Sequence, residues 1–163
     1  MTYSLTNKND DKVFMQEAIK EAKKAFNSND VPVGAIVVFE NRVIGRGYNQ
    51  VELLGDPTAH AEMIAITAAT STIQEKFLRE ATLFVTVEPC SMCAGASVLA
   101  RIKKLVYGVQ DIKTGAHSSL FNLLSDPRLN HQIEVVPGVL RSECAQLMVQ
   151  FFETLRNKKN KLS

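Results

Sequence analysis

Apolar residues enter the chain with helical spacing. From Asp11 onward Phe14, Ala18, Ala22 and the Ala25–Phe26 pair stand three or four apart with charged residues between them, a pattern that predicts an amphipathic helix. Pro32 disfavours helical geometry at Val31, so the helix is expected to stop near Asn27–Asp30. The period then changes. Val33–Phe39 is a β-rich run, Glu40–Asn41 a turn and Arg42–Tyr48 a second run, which together predict a hairpin. Gln50–Gly55 reads as a loop. Asp56 suits an N-cap and Pro57 a first helical position, so the next helix is predicted from there through Ala61, Ile64 and Ala68 to about Thr70.

Thr82–Val87 is nearly continuously apolar, as expected of a strand covered on both faces. It runs straight into Glu88–Cys93 and an alanine-rich helix ending near Arg101. Lys104–Val109 and Gln132–Val136 read as a fourth and a fifth strand, separated by a loop around Lys113–Ser119 with room for a short helix at Leu120–Leu124. The last helix is expected over Arg141–Arg156, with Cys144, Leu147, Met148, Phe151, Phe152 and Leu155 as its apolar stripe. A hairpin followed by alternating helices and strands predicts an α/β fold: one sheet, at least partly parallel, with helices on both faces.

Composition narrows this without redirecting it. A chain of 163 residues, 45% hydrophobic and 22% charged, fits one globular domain that buries roughly 70% of its unfolded surface, with flexible ends expected at about 1–10 and 157–163. Collagen-like, coiled-coil and disordered classes are excluded. The formal charge of +2 is too small to signal nucleic-acid binding by itself. No stretch is apolar for long enough to cross a bilayer, and the polar first residues lack the layout of a secretory signal, so a cytoplasmic protein without a membrane partner is expected. Three cysteines, two of them three residues apart, point in a reducing compartment to metal or catalysis before disulfides.

Two segments carry the candidate chemistry: His60-Ala61-Glu62 and Pro89-Cys90-Ser91-Met92-Cys93. Zinc takes imidazole nitrogen and thiolate sulfur, with four protein ligands in structural sites but three plus an open position in catalytic ones. His60, Cys90 and Cys93 make three, whereas His117, His131 and Cys144 lack partner spacing. A helix N-terminus at Cys90 would favour the thiolate that a metal needs. Residues two apart on a helix diverge by about 200°, so His60 and Glu62 can serve one centre only at a helix's first turn. Zinc makes water nucleophilic near neutral pH, and Glu62 could take the water's proton and return it to the substrate. Each element alone has a plainer reading, since a lone CxxC is also a redox or structural-zinc motif. Cys144 reads as a small buried hydrophobe. The joint occurrence of the other four favours hydrolytic deamination of an amidine-like carbon.

H-x-E followed by P-C-x-x-C is the signature of zinc nucleobase deaminases. Beyond it, Val31–Ala35, Asn41–Gly45, Asp56–Glu62, Glu88–Ala96, Lys113–Gly115, Asn130–His131 and the segment Cys144 to Phe152 resemble the bacterial tRNA-specific adenosine deaminases of the cytidine deaminase-like superfamily. The resemblance implies a three-layer α/β/α sandwich around a five-stranded mixed sheet. It also implies one zinc ion per subunit, a homodimer, and conversion of the wobble adenosine of a tRNA anticodon to inosine. Carried over by position, Asn49 would bond the target nucleotide, Val31 and Val87 would line the base pocket, and Asp111, Lys113 and Phe152 would approach the anticodon stem-loop. Gln110 and His117 depart from the family pattern and bear on which tRNAs are accepted.

Two alternatives stay open at this level. A small-molecule deaminase acting on a free base or nucleotide would use the same metal signature. A structural-zinc RNA-binding module would need a fourth protein ligand and no role for Glu62. Backbone phosphates require positive charge, for which Arg101–Lys104 and Arg156–Lys161 are the candidate clusters.

Overall fold

The computed structural model describes residues 8–163. In chain order the elements are α1 (Lys8–Asn27), β1 (Gly34–Phe39), β2 (Arg42–Tyr48), α2 (Val51–Leu54), α3 (Ala61–Ile73), β3 (Thr82–Val87), α4 (Ser91–Leu99), β4 (Lys104–Val109), β5 (Glu134–Val136) and α5 (Arg141–Leu162). The five strands form one sheet in the order β2-β1-β3-β4-β5. β1 pairs antiparallel with β2 and β3, while β3–β4 and β4–β5 are parallel. The expected mixed sheet is present. Glu40 and Asn41 both adopt positive φ (47° and 61°), the backbone of a two-residue hairpin turn whose twist matches that of the strands.

Strand alternation divides the core into two layers. Ala35, Val37, Leu83, Val85, Leu105 and Tyr107 face α3 and α4, which contribute Ala61, Ala65, Ala69, Ala94 and Val98. Ile36, Val38, Phe84 and Val106 face α1 and α5, where Met15, Ala18, Ile19 and Cys144 meet them. Burial on both faces is why β1, β3 and β4 read as unbroken apolar runs. α3 lies against the backbone of β2: a Cβ on Gly47 would come within 2.3 Å of the Ala61 carbonyl and 2.7 Å of the Ala65 nitrogen. Only a strand without side chains at Gly45 and Gly47 admits a helix this close.

Several local expectations are corrected. Gln50–Gly55 is not all loop, because Val51–Leu54 forms α2 and Gly55 closes it in the left-handed region. The group satisfying its first-turn N–H donors is the carboxylate of Asp30, which accepts from Glu52 and Leu53 at 3.1 Å each. Asp56 does not cap α3. Its carboxylate accepts from the Thr58 N–H and hydroxyl, Pro57 and Thr58 form a turn closed by the Ala59 N–H on the Asp56 carbonyl, and after an extended His60 the helix opens at Ala61 and continues to Ile73. Leu120–Leu124 forms no helix: the Leu124 carbonyl is taken by Ile133 and the Leu123 N–H by Ala116. α5 carries on past Arg156 to Leu162. Of the segments expected as flexible ends, residues 1–7 lie outside the described residues and 157–162 form the last turns of α5. Among the described residues no helix is long and apolar enough to cross a membrane.

Candidate active site

Two helix starts meet at the carboxyl end of β3. His60 is the N-cap residue of α3 and Cys90 that of α4, both with extended backbone, and neither side chain caps its own helix. The imidazole and the thiol are therefore turned to each other, and the open first-turn N–H donors of both helices favour negative charge between them. Cys93 sits in the first turn of α4 and is fully buried. His60 Nδ1 lies 3.6 Å from Cys90 Sγ and 3.6 Å from Cys93 Sγ, and all three donor atoms fall within 4.8 Å of one another.

These distances fit a metal. Tetrahedral zinc with bonds of about 2.3 Å to sulfur and about 2.0–2.1 Å to nitrogen requires a nitrogen–sulfur edge of about 3.6 Å. The donor set of one imidazole and two sulfurs is of the type zinc prefers. The Cys90 thiol is pulled down to about 4, first by its hydrogen bond with Cys93 and then by His60, against the burial that raises it. The Cys93 thiol is pushed up, first by its hydrogen bond with Cys90 and then by burial. Among the described residues no fourth His, Cys, Asp or Glu joins the three-donor group.

Glu62, the second residue of α3, is 4% exposed, and burial pushes its carboxyl up to about 7. Because His60 lies just outside the helix and Glu62 just inside it, the divergence expected within a helix does not apply. Both line one cavity of about 250 Å³, together with Val31, Asn49, Val87, Cys90 and Asp111. Asn49 is drawn in by its backbone: its N–H donates to the Val33 carbonyl and the next N–H to that of Ala59. Its side-chain amide donates to Asp30 Oδ1 at 3.4 Å; since a carboxylate only accepts, this fixes which end of the amide faces Asp30.

The other expected positions stand apart from the cavity wall. Lys113 lies next to it, in a turn where Asp111 accepts the N–H groups of Lys113 and Thr114 and the hydroxyl of Thr114. Phe152 is on α5, 45% exposed, edge-on to the buried Phe151 with ring centroids 5.4 Å apart. Of the basic cluster after α4, Lys103 pairs with Glu80 and Lys104 with Asp11, while Arg101 stands over Phe77. In the C-terminal cluster Lys158 donates to Asn29. Sequence reasoning missed Asp30, Thr114 and Met148 as wall residues. Asp30 could have been suspected as a charged residue beside a strand start, whereas Met148 reads as one more position of an apolar stripe. Cys144, as expected, is a packing residue: it fills the space over Gly108, where a Cβ would meet its sulfur at 2.4 Å.

The profile of the MafB19-like deaminase family matches residues 8–156. The tRNA-specific adenosine deaminase of Bacillus subtilis (strain 168) is 48% identical over 149 residues, covering 91% of this chain and 92% of that one. The chain belongs to the tRNA-specific adenosine deaminase family. Its relative of the same description in Aquifex aeolicus (strain VF5) is 46% identical over 144 residues, 88% of this chain and 95% of that one. A solved structure from work on A-to-I editing by tRNA deaminases at the wobble position matches with a TM-score of 0.80 at 42% identity, covering 83% of this chain and 98% of the other. The guanine deaminase of Nitrosomonas europaea shares the fold, with a TM-score of 0.74 at 23% identity over 86% of this chain and 83% of that one. The family is zinc-dependent, in agreement with the donor set at His60, Cys90 and Cys93.

Proposed function

We propose that this chain hydrolyses adenosine to inosine at the wobble position of a tRNA anticodon, as a single cytoplasmic deaminase domain that works as a homodimer. The observation that carries this reading is the shared cavity: His60 and Cys90 of the three-donor His/Cys/Cys group, a buried carboxylate and a polar amide line one space of base size, in a chain of this family.

His60, Cys90 and Cys93 would hold the zinc. What zinc supplies in such a site is Lewis acidity, which lets water act as a nucleophile near neutral pH. Glu62 lies in the cavity wall beside His60, suited to accept a proton from the attacking water and deliver it to the departing amine. The balance closes: a C–O bond forms at the ring carbon, the exocyclic C–N bond breaks, and ammonia leaves with the transferred proton. Asn49, with one amide hydrogen committed to Asp30, presents its remaining bonding capacity to the nucleotide. Val31 and Val87 offer apolar contact to the faces of the base, which must leave its stack to enter.

Asp111, Lys113 and Phe152 are the proposed contacts to the anticodon stem-loop, where unstacked bases and phosphates are accessible. The dimer reading is supported by large apolar side chains left in solvent on α2 and α4: Leu53, Leu54 and Leu99 are 55%, 60% and 75% exposed. Such exposure is a mark of association surfaces.

The deciding measurement is inosine formation in an anticodon stem-loop, run beside free adenosine, guanine and cytidine. The stem-loop should turn over fastest. Faster conversion of any free base or nucleoside would overturn the tRNA assignment while leaving the deaminase chemistry intact.

A further inference from the structure

Glu88 follows β3 directly and precedes Pro89 and Cys90, yet it is not one of the metal donors. Its side chain is 2% exposed. A buried carboxylate needs donors, and this one has five. Oε1 accepts from the N–H groups of His117, Ser118 and Ser119 at 3.0, 3.0 and 3.2 Å. Oε2 accepts from the Asp111 N–H at 3.1 Å and from the Ser119 hydroxyl at 2.6 Å. Oε1 thus holds the close of one loop at 117–119, while Oε2 ties Asp111 at its start to Ser119 at its close. The middle is pressed on the same carboxylate: a Cβ on Gly115 would lie 2.4 Å from Glu88 Cδ. Gly115 also bridges to Cys90, and the Ala116 N–H donates to the Pro89 carbonyl. Between β4 and β5 there is no helix to brace this segment, so the carboxylate supplies the bracing that secondary structure does not. Asp111 and Thr114, which the loop carries, line the cavity.

We infer that Glu88 is a positioning residue for substrate recognition: by collecting donors from both ends of the Asp111–Ser119 loop on one buried carboxylate, it holds Asp111 and Thr114 at the cavity where the anticodon enters. This rests on the tRNA deaminase reading above.

Glu88→Gln is the direct test. The variant keeps the shape and one accepting oxygen but puts an NH2 group opposite a second donor, so one end of the loop comes free. Loss of charge-assisted bonds at that end should raise KM for an anticodon stem-loop about tenfold while kcat falls less than about threefold. Metal content should equal that of the wild type, and amide exchange across Asp111–Ser119 should accelerate about tenfold or more. A merely structural role would instead lower metal content or kcat with KM unmoved; that result, or unchanged loop exchange, overturns the proposal. Should Glu88→Gln fail to fold, Ser119→Ala removes a single donor at the same oxygen. It should raise KM about threefold, and an unchanged KM overturns the clamp. Wild-type turnover of the stem-loop is the control: its absence would refute the function, whereas loop exchange, read without substrate, decides the clamp independently.

Discussion

The helix starts that carry His60, Glu62, Cys90 and Cys93 and the Asp111–Ser119 loop facing them are held by different forces. The helix starts are set by close packing. α3 rests on a glycine strip of β2 through backbone contact, α4 buries Cys93, Ala94, Ser97 and Val98, and many small contacts share the work. The loop packs into the core only at Gly115 and Ala116, and one carboxylate gathers its ends. Packing distributes over many residues and resists displacement in every direction. A hydrogen-bonded hub is directional and can be undone by one atom. The contrast separates the labour: rigid helix ends for bond breaking, a hub-held loop for choosing what enters.

The largest effect should come from the chemical side of that divide. Glu62→Gln is expected to lower single-turnover inosine formation by about 10³–10⁴-fold, with metal content and melting temperature unchanged. Activity within about tenfold of wild type would remove Glu62 from the proton transfers. Next comes the packing beneath it. Gly47→Val forces side-chain atoms into the Ala61 carbonyl, and should cost about 2–3 kcal/mol in urea denaturation as well as activity, because His60 and Glu62 open the displaced helix. A variant as stable as wild type would show that the α3–β2 contact has slack. The smallest effect belongs to the periphery. Phe152→Ala removes an exposed ring and should change stability by no more than about 0.5 kcal/mol, while weakening stem-loop binding about threefold by fluorescence anisotropy. Unweakened binding would take Phe152 out of the contact set.

What was legible in the sequence is local. The hairpin with its Glu40–Asn41 turn and the limits of Arg42–Tyr48, Thr82–Val87 and Lys104–Val109 all follow from side-chain periods and turn chemistry within a few residues. The helix starts were half legible. His60 and Glu62 were expected to work together only at a first turn, and the structure has that arrangement, but not through Asp56 and Pro57. The Asp56 carboxylate could cap a helix or close a turn on Thr58, and the choice depended on the Ala59 carbonyl being taken by Gln50. α2 was invisible because its capping group, Asp30, lies 22 residues from the N–H it serves.

The opposition between packed helix ends and a hub-held loop follows the same line. The sequence by itself determined the periods of the elements and the spacing of His60, Glu62, Cys90 and Cys93, since these depend on neighbours along the chain. Only the tertiary structure decided where α3 begins, which groups wall the cavity and that Glu88 gathers the 111–119 loop. Those outcomes turn on competition for hydrogen-bond donors between partners 22 to 31 residues apart, and only the folded sheet brings such partners together.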